Sequence, residues 1–182
     1  QATIGITNPN QINQSSSYQD TFGIEAKAHY AFNAGAATGK IWVSGASYDV
    51  TQRAVAEVTA VSGSAGTAAV AAAQWDATVA DIGATINVGN MALTGYYYSG
   101  EGVGTTLLGL GGADANSNER DSDGGYVQAT YVIPAGTKLG VAYGVSRLDA
   151  TSQEGSGTAL LDENNRWTVG AYHPLTKHLN LV

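Results

Sequence analysis

The side chains that could do covalent or metal chemistry are few in this chain and lie far apart in the sequence. The three histidines are His29, His173 and His178, and the last two stand on either side of a turn that begins at Pro174. Histidines at this spacing do not predict a metal centre. Cysteine is absent, which excludes thiolate ligands and cysteine nucleophiles. Because no motif joins a serine to a histidine and an orienting acid, the sequence predicts neither an enzyme nor a cofactor.

One acidic stretch carries side-chain oxygens at every second or third position, as a calcium-binding loop does. Glu119 occupies the position where an EF-hand needs glycine, and no bidentate glutamate follows at the required spacing. The favoured interpretation is therefore a solvated outer loop with no metal site. Weak binding of Ca²⁺ or Mg²⁺ is the alternative, and its candidate ligands are Asp114, Asn116, Asn118, Asp121 and Asp123.

Neither nucleotides nor nucleic acids are expected as partners. The glycine-rich run 100–112 lacks the Lys-Ser/Thr ending of a phosphate-binding loop, and it follows no parallel βα unit. The chain has a net charge of -7, with 8 lysines and arginines in total and no basic cluster. Nucleic-acid binding requires clustered positive charge, so the sequence argues against nucleic acid as a partner.

The strongest structural signal is a two-residue alternation between Tyr18 and Phe32. Glu25, Lys27 and His29 share one face of this segment. Such a period is typical of a β-strand that lies between an apolar and a polar medium. The segment is longer than an ordinary strand of about 5 or 6 residues and approaches the roughly 9 to 11 residues that cross a bilayer at a tilt. Its apolar face carries Phe22, Ile24, Ala26, Ala28, Tyr30 and Phe32.

Similar segments recur along the chain and are joined by connections that alternate in length. Short connections built from turn residues, such as 89–90, alternate with long polar or glycine-rich ones, such as 100–124. Turns at one end and loops at the other predict an antiparallel up-and-down sheet. The alanine-rich stretch 65–74 is left open between a short helix and a loop. The predicted strands are Ala2–Thr7, Asp20–Phe32, Lys40–Val50, Ala77–Val88, Met91–Ser99, Gly125–Ile133, Lys138–Leu148, Arg166–His173 and a last one that begins at His178.

These features predict an all-β fold: a transmembrane, antiparallel up-and-down β-barrel that forms a single domain over residues 1–182. Charged residues make up 13% of the chain, about half the share of a typical soluble domain. The mean hydropathy is -0.08, and no run approaches the roughly 18 apolar residues of a membrane helix. A barrel fits both observations because only alternate residues face lipid. A soluble β-sandwich stays open as an alternative, since alternation alone does not distinguish lipid from a soluble core.

The alternation also assigns candidate functional side chains to the two faces. Polar strand residues are predicted to line a water-filled lumen, and aromatic residues are predicted to form interfacial girdles. The strand Lys40–Val50 is ambiguous, although Trp42 and Tyr48 would suit the girdles. The pore-lining candidates are Glu25, Lys27, His29, Asp81, Thr85, Asn87, Gln128, Thr130 and Arg166. The girdle candidates are Tyr30, Phe32, Trp42, Tyr48, Tyr131, Tyr143 and Trp167.

The predicted strands do not complete a barrel by themselves. Nine is an odd number, whereas single-chain bacterial barrels have an even number of strands. The last segment, His178–Val182, is also too short to cross a bilayer. We therefore expect this chain to be a portion of a larger barrel, incomplete at both ends.

Three stretches of the chain are similar to a known family. They are Gly95–Thr105, Asp121–Tyr131, and Trp167–His173 with Leu175–Val182. These stretches resemble Gram-negative outer-membrane general porins, the 16-stranded trimeric type of gammaproteobacteria, and the chain corresponds to their C-terminal half. Such porins end on an aromatic residue whereas this chain ends at Val182, and no constriction residue is carried over from the family.

The resemblance implies a location in the bacterial outer membrane and passive diffusion of small hydrophilic solutes and ions. It also implies a homotrimer surrounded by membrane lipid and lipopolysaccharide. The acidic loops and the net charge of -7 predict a preference for cations. Two alternatives stay open: an extracellular β-sandwich that acts as an adhesin-like binding module, and a small closed outer-membrane barrel with a structural role and no open pore.

Overall fold

A computed structural model describes residues 1–7, 17–18, 21–52, 54, 57, 69, 72–105, 111–155, 160–176 and 179–181. Within these residues every regular element is a β-strand, and no helix is long and apolar enough to cross a membrane. The alanine-rich stretch 65–74 lies mostly outside the described residues, apart from Ala69 and the positions at its end where a strand begins.

The strands form one antiparallel sheet whose order follows the chain. Pairing runs from β1 to β3 and then from each strand to the next as far as β10, while the two-residue β2 pairs with β4. Among the described residues β1 does not pair with β10, so the described sheet is open. The strands are β1 Ala2–Thr7, β2 Ser17–Tyr18, β3 Gly23–Ala34, β4 Ala37–Gln52, β5 Ala73–Val88, β6 Met91–Glu101, β7 Asp121–Val132, β8 Lys138–Leu148, β9 Glu163–Thr176 and β10 Leu179–Leu181.

The predicted all-β, up-and-down arrangement is confirmed for the described residues, and His178, where the last strand was predicted to begin, lies outside them. The strands β1 and β8 have the predicted bounds, and β5 begins at Ala73 rather than at Ala77. The short β2 was not predicted. Closure into a barrel goes beyond the described sheet.

Short and long connections alternate between the two ends of the strands, as predicted. The turn between β5 and β6 consists of two residues, Gly89 and Asn90, and brings Val88 opposite Met91. Gly89 has a φ of 55°, which suits the first central position of a two-residue hairpin turn and which glycine adopts without strain. The long connections 102–120 and 149–162 both join strands at their opposite ends. We call this end of the strands the loop edge.

The register gives the sheet two chemically distinct faces. Cross-strand partners project to the same side of a sheet, so a row of partners defines one face. The apolar face is defined by the row Tyr30, Ile41, Ala84, Gly95, Val127, Tyr143 and Trp167, from β3 to β9. The polar face is defined by the adjacent row His29, Trp42, Gly83, Tyr96, Tyr126, Gly144 and Arg166.

Large side chains of the apolar face are exposed. Ile4 is 77% exposed, Trp167 is 69% exposed and Val169 is 81% exposed. The buried apolar cluster of the described residues lies instead on the polar face at the loop edge, and its members are Tyr48, Val50, Trp75, Ala77 and Val103. The sheet therefore has its core beneath a loop and has an uncovered hydrophobic surface on its other side.

Candidate functional site

The pore-lining candidates all lie on the polar face of the sheet. Lys27 pairs with Ser44, which pairs with Asp81, and Thr85 pairs with Thr94, which pairs with Gln128. Five adjacent rows of partners thus bring the candidates onto one surface. The set is Glu25, Lys27, His29, Asp81, Thr85, Asn87, Gln128, Thr130 and Arg166. That these side chains line a pore stays a prediction.

The girdle candidates divide between the two faces. Trp42 and Tyr48 lie on the polar face and so do not share a surface with the other candidates. The ring of Trp42 lies against Gly83 and within 5.9 Å of the Lys27 ammonium, while the Tyr48 hydroxyl donates to Glu25. The candidates that lie on the apolar face are Tyr30, Phe32, Tyr131, Tyr143 and Trp167.

The acidic stretch does not form a calcium loop. The Oδ1 of Asp114 accepts the backbone N–H groups of Asn116 at 2.8 Å and Asn118 at 2.9 Å, and Oδ2 accepts the Asn118 amide and the Thr151 hydroxyl, both at 2.8 Å. These bonds, above all that from the Asn118 side chain, hold the pKa of Asp114 far below its usual value. Protein donors therefore occupy the oxygens that a cation would need.

The other members of the acidic stretch point elsewhere. Asp121 and Asp123 lie on β7, and their side chains project on the apolar side of the sheet, where Asp123 is 3.5 Å from Arg147. In the described part of the chain, no group of three His, Cys, Asp or Glu side chains could hold a metal ion. The stretch is thus a hydrogen-bonded turn followed by a strand, an arrangement that does not bring its five side-chain oxygens together as a calcium loop requires.

A buried ion pair, missed from the sequence, joins two loops at the loop edge. Arg120 donates from Nε to Glu154 Oε2 at 2.8 Å, and its Nη1 donates to the carbonyl oxygens of Gly111 and Ala113 at 2.8 Å each. The hydrogen bond to Glu154 raises the pKa of Arg120, and the same bond lowers the pKa of Glu154. The signal in the sequence is a single arginine between the acids Glu119 and Asp121.

The beginning of the loop after β6 packs onto the polar face. Trp75 donates its indole N–H to the carbonyl of Gly102 at 2.9 Å, and Val103 completes the buried cluster. Gly102 has a φ of 71°, and a Cβ there would lie 2.0 Å from the carbonyl oxygen of Asp76. Only glycine permits this approach. Residues 102–105 therefore cover the polar face near the loop edge.

Three tyrosines form an aromatic cluster on the polar face, next to the part that residues 102–105 cover. The ring centroids of Tyr96 and Tyr126 are 5.6 Å apart, and those of Tyr96 and Tyr98 are 6.3 Å apart. Tyr98 shares a 2.5 Å hydrogen bond with Ser146 on β8. The three rings, together with Arg166, line a cavity of about 470 Å³ on the polar face.

The charges of the polar face do not match the negative net charge of the chain. The described strands place four basic residues on this face and two acids, Glu25 and Asp81. The acids Asp121, Asp123 and Glu163 project on the other side of the sheet. The predicted cation preference therefore depends on the loops. The basic residues are Lys27, Lys40, Lys138 and Arg166.

No protein-family model matches this chain, and no match is found among curated proteins or among solved structures. The two faces of the sheet are therefore the features of this chain that bear on its function.

Proposed function

We propose that this chain forms part of the wall of an outer-membrane pore through which small hydrophilic solutes and ions diffuse. The observation that carries the proposal is the exposed apolar face, which extends over every long strand. Exposed large hydrophobic side chains recur on β1, β3, β4, β5, β6, β7, β8 and β9. An apolar patch of this extent on a soluble protein would be unusual, because monomers rarely expose more than a few hundred Å² of contiguous apolar surface.

Strand lengths support a membrane setting. β6 and β8 have 11 residues and β4 and β5 have 16, whereas roughly 9 to 11 residues cross a bilayer. In a bilayer every backbone donor and acceptor must be paired, and neighbouring strands of this sheet satisfy that condition for one another. The outer strands of the sheet, β1 and β10, would need to pair either with each other or with further strands. A 16-strand barrel and a trimer remain what the family resemblance implies.

The polar face would then line the lumen. Its hydroxyl, amide and charged side chains would replace part of the hydration shell of a passing solute, and the width between opposite walls would limit solute size. The packing of residues 102–105 against Trp75 would narrow the lumen at the loop edge. No covalent step and no cofactor are required.

The competing functions predict different behaviour. A β-sandwich adhesin would cover its apolar sheet with a second layer, yet Ile82, Leu93 and Val141 are each more than 40% exposed in the described sheet. A small closed structural barrel would share the apolar face but would have no open lumen.

Planar-bilayer recording separates these functions. The natural polypeptide that carries this chain, extracted in detergent, should give stepwise ion conductance and should migrate differently on gels before and after boiling. A protein that stays soluble without detergent and gives no conductance would support the adhesin. Heat-dependent migration without conductance would support the closed barrel.

A further inference from the structure

A groove follows strand β8 along the polar face. The side chains on the polar face of β8 are small and form the floor of the groove. The larger side chains of β7 and β9 form its two walls. Two adjoining cavities of about 470 Å³ and 670 Å³ occupy this groove. The floor residues are Gly140, Ala142, Gly144 and Ser146.

The wall of the groove on the β7 side is aromatic towards the loop edge. Tyr98 lies across Gly124, where a Cβ would come within 2.7 Å of its ring, and its hydroxyl is held by Ser146. Tyr96 packs against Tyr126, which is 40% exposed. The C–H groups of a sugar ring carry partial positive charge and pack favourably on the electron-rich face of an aromatic ring. This wall therefore suits a flat, partly apolar ring.

The wall on the β9 side carries hydrogen-bonding groups and one charge. Arg166 faces Tyr126 across Gly144, because the three are successive cross-strand partners. Within the described residues Arg166 has no ion pair, and the acids of the polar face stand on β3 and β5. The uncharged side chains beside it are Asn164 and Thr168. An exposed guanidinium without a protein partner is suited to bind a carboxylate in two parallel hydrogen bonds.

We propose that this groove binds an acidic sugar, a hydroxylated ring that bears one carboxylate. The tyrosines would stack on the ring, Arg166 would bind the carboxylate, and Asn164, Thr168 and Gln128 would bind hydroxyl groups. The inference deepens the proposed function, because it requires that the polar face line a water-filled lumen. It predicts that the pore favours such sugars over neutral sugars of equal size.

The probes are trigalacturonate and maltotriose, an acidic and a neutral trisaccharide. Each is added to the natural polypeptide, as single pores in planar bilayers and in detergent for calorimetry. Trigalacturonate should interrupt the ion current and bind about fivefold more tightly than maltotriose, since an exposed carboxylate–guanidinium pair contributes up to about 1 kcal/mol. Arg166→Gln should abolish that difference, and Tyr126→Leu should weaken binding of both sugars.

Arg147→Gln is the matched control, because Arg147 stands on the neighbouring strand but projects on the apolar side beside Asp123 and Glu163. It should leave binding of both sugars unchanged. Heat-dependent gel migration verifies that each variant has folded, and Tyr126→Phe, which keeps the ring, should retain binding.

The possible failures can be told apart. Open pores that neither sugar interrupts, with no binding heat, would overturn the acidic-sugar site and leave the pore intact. Equal binding of the two sugars, unaffected by Arg166→Gln, would overturn the role of the carboxylate. Absence of conductance would overturn the pore, whereas calorimetry would still decide whether the groove binds the sugar.

Discussion

Arg120 and Glu154 form an ion pair between two loops that belong to different hairpins, with both side chains about nine-tenths buried (10% and 11% exposed). A second link runs beside it, where the Thr151 hydroxyl donates to Asp114 at 2.8 Å. Glu154 also accepts the backbone N–H of Thr151 at 3.0 Å. Hydrogen bonds to two carboxylates thus join the connection after β6 to the connection after β8, and both carboxylates accept these bonds more favourably when they are ionised.

We expect the two loops to separate in acid. Hydrogen bonds hold the pKa of Asp114 and that of Glu154 below their usual values. A carboxyl whose pKa is lower in the folded protein stabilises the fold above its unfolded pKa of about 4, and this stabilisation is lost as the pH falls towards the folded value. Amide hydrogen exchange of residues 111–120, corrected for intrinsic rates, should stay constant from about pH 7 to pH 5 and accelerate below about pH 4.

Asp114→Asn tests the same contacts at neutral pH. The amide has one acceptor oxygen instead of two, so exchange in residues 111–120 should be faster at pH 7 than in the unmodified protein. Asp162→Asn is the control, because Asp162 is an exposed acid of the other loop. Equal effects of the two substitutions, or unchanged exchange at pH 3, would contradict the role assigned to Asp114.

The strand pattern was predictable from the sequence because alternation is a local property. Ile24, Ala26 and Ala28 stand on one face, and Glu25 and Lys27 stand on the other, as the period of two requires. In β4 the same period did not predict which face is apolar. Gly45 and Ser47 alternate there with Ser44 and Ala46, so neither face is clearly apolar. The pairing of β4 with β3 and β5, which assigns Trp42 to the polar face, is a long-range property.

The contacts between the loops could not be predicted from the sequence because they, too, are long-range. Arg120 and Glu154 are 34 residues apart, and Asp114 and Thr151 are 37 residues apart. A spacing of oxygens suggested a cation site around Asp114, yet the spacing does not reveal that Asn118 and Thr151 supply the donors. Only the folded loops bring these partners together.

Opposite tolerance to substitution is expected at two adjacent positions of β3. Ala26 lies on the apolar face, so Ala26→Arg should reduce the free energy of unfolding by roughly 2 to 4 kcal/mol if the residue is near the bilayer midplane. Lys27 lies on the polar face with its ammonium 5.9 Å from the centre of the Trp42 ring, so Lys27→Ala should cost less than about 1 kcal/mol. Urea unfolding in lipid vesicles measures both, and equal costs would contradict the assignment of faces.

Gly102→Ala should lift residues 102–105 away from the polar face. The substitution adds strain at a φ of 71° and places a Cβ 2.0 Å from the carbonyl oxygen of Asp76, so its cost should exceed about 2 kcal/mol. Gly89→Ala is the matched control, because Gly89 has a φ of 55° but nothing within 4 Å of a Cβ, and it should cost about 1 kcal/mol. Red-shifted tryptophan emission for Gly102→Ala alone would report exposure of Trp75, and identical spectra would contradict the packing.

Ion selectivity tests which charges dominate the lumen. Lys27 and Lys40 stand on the polar face on either side of Trp42, at 5.9 Å and 5.4 Å from its ring centre, whereas the exposed acids Glu119 and Asp162 belong to the loops. We expect cation preference at low salt, and the double substitution Lys27→Gln and Lys40→Gln should strengthen it by removing two positive charges from the wall.

Reversal potentials under a salt gradient measure this preference. It should weaken between about 0.1 M and 1 M salt, because the Debye length falls from about 10 Å to about 3 Å. Arg147→Gln removes a positive charge from the apolar side instead and should change the reversal potential little. Anion preference of the unmodified pore at low salt would mean that the four basic residues of the described polar face outweigh the acidic loops. The double substitution, which removes two of those four positive charges, should then weaken the anion preference.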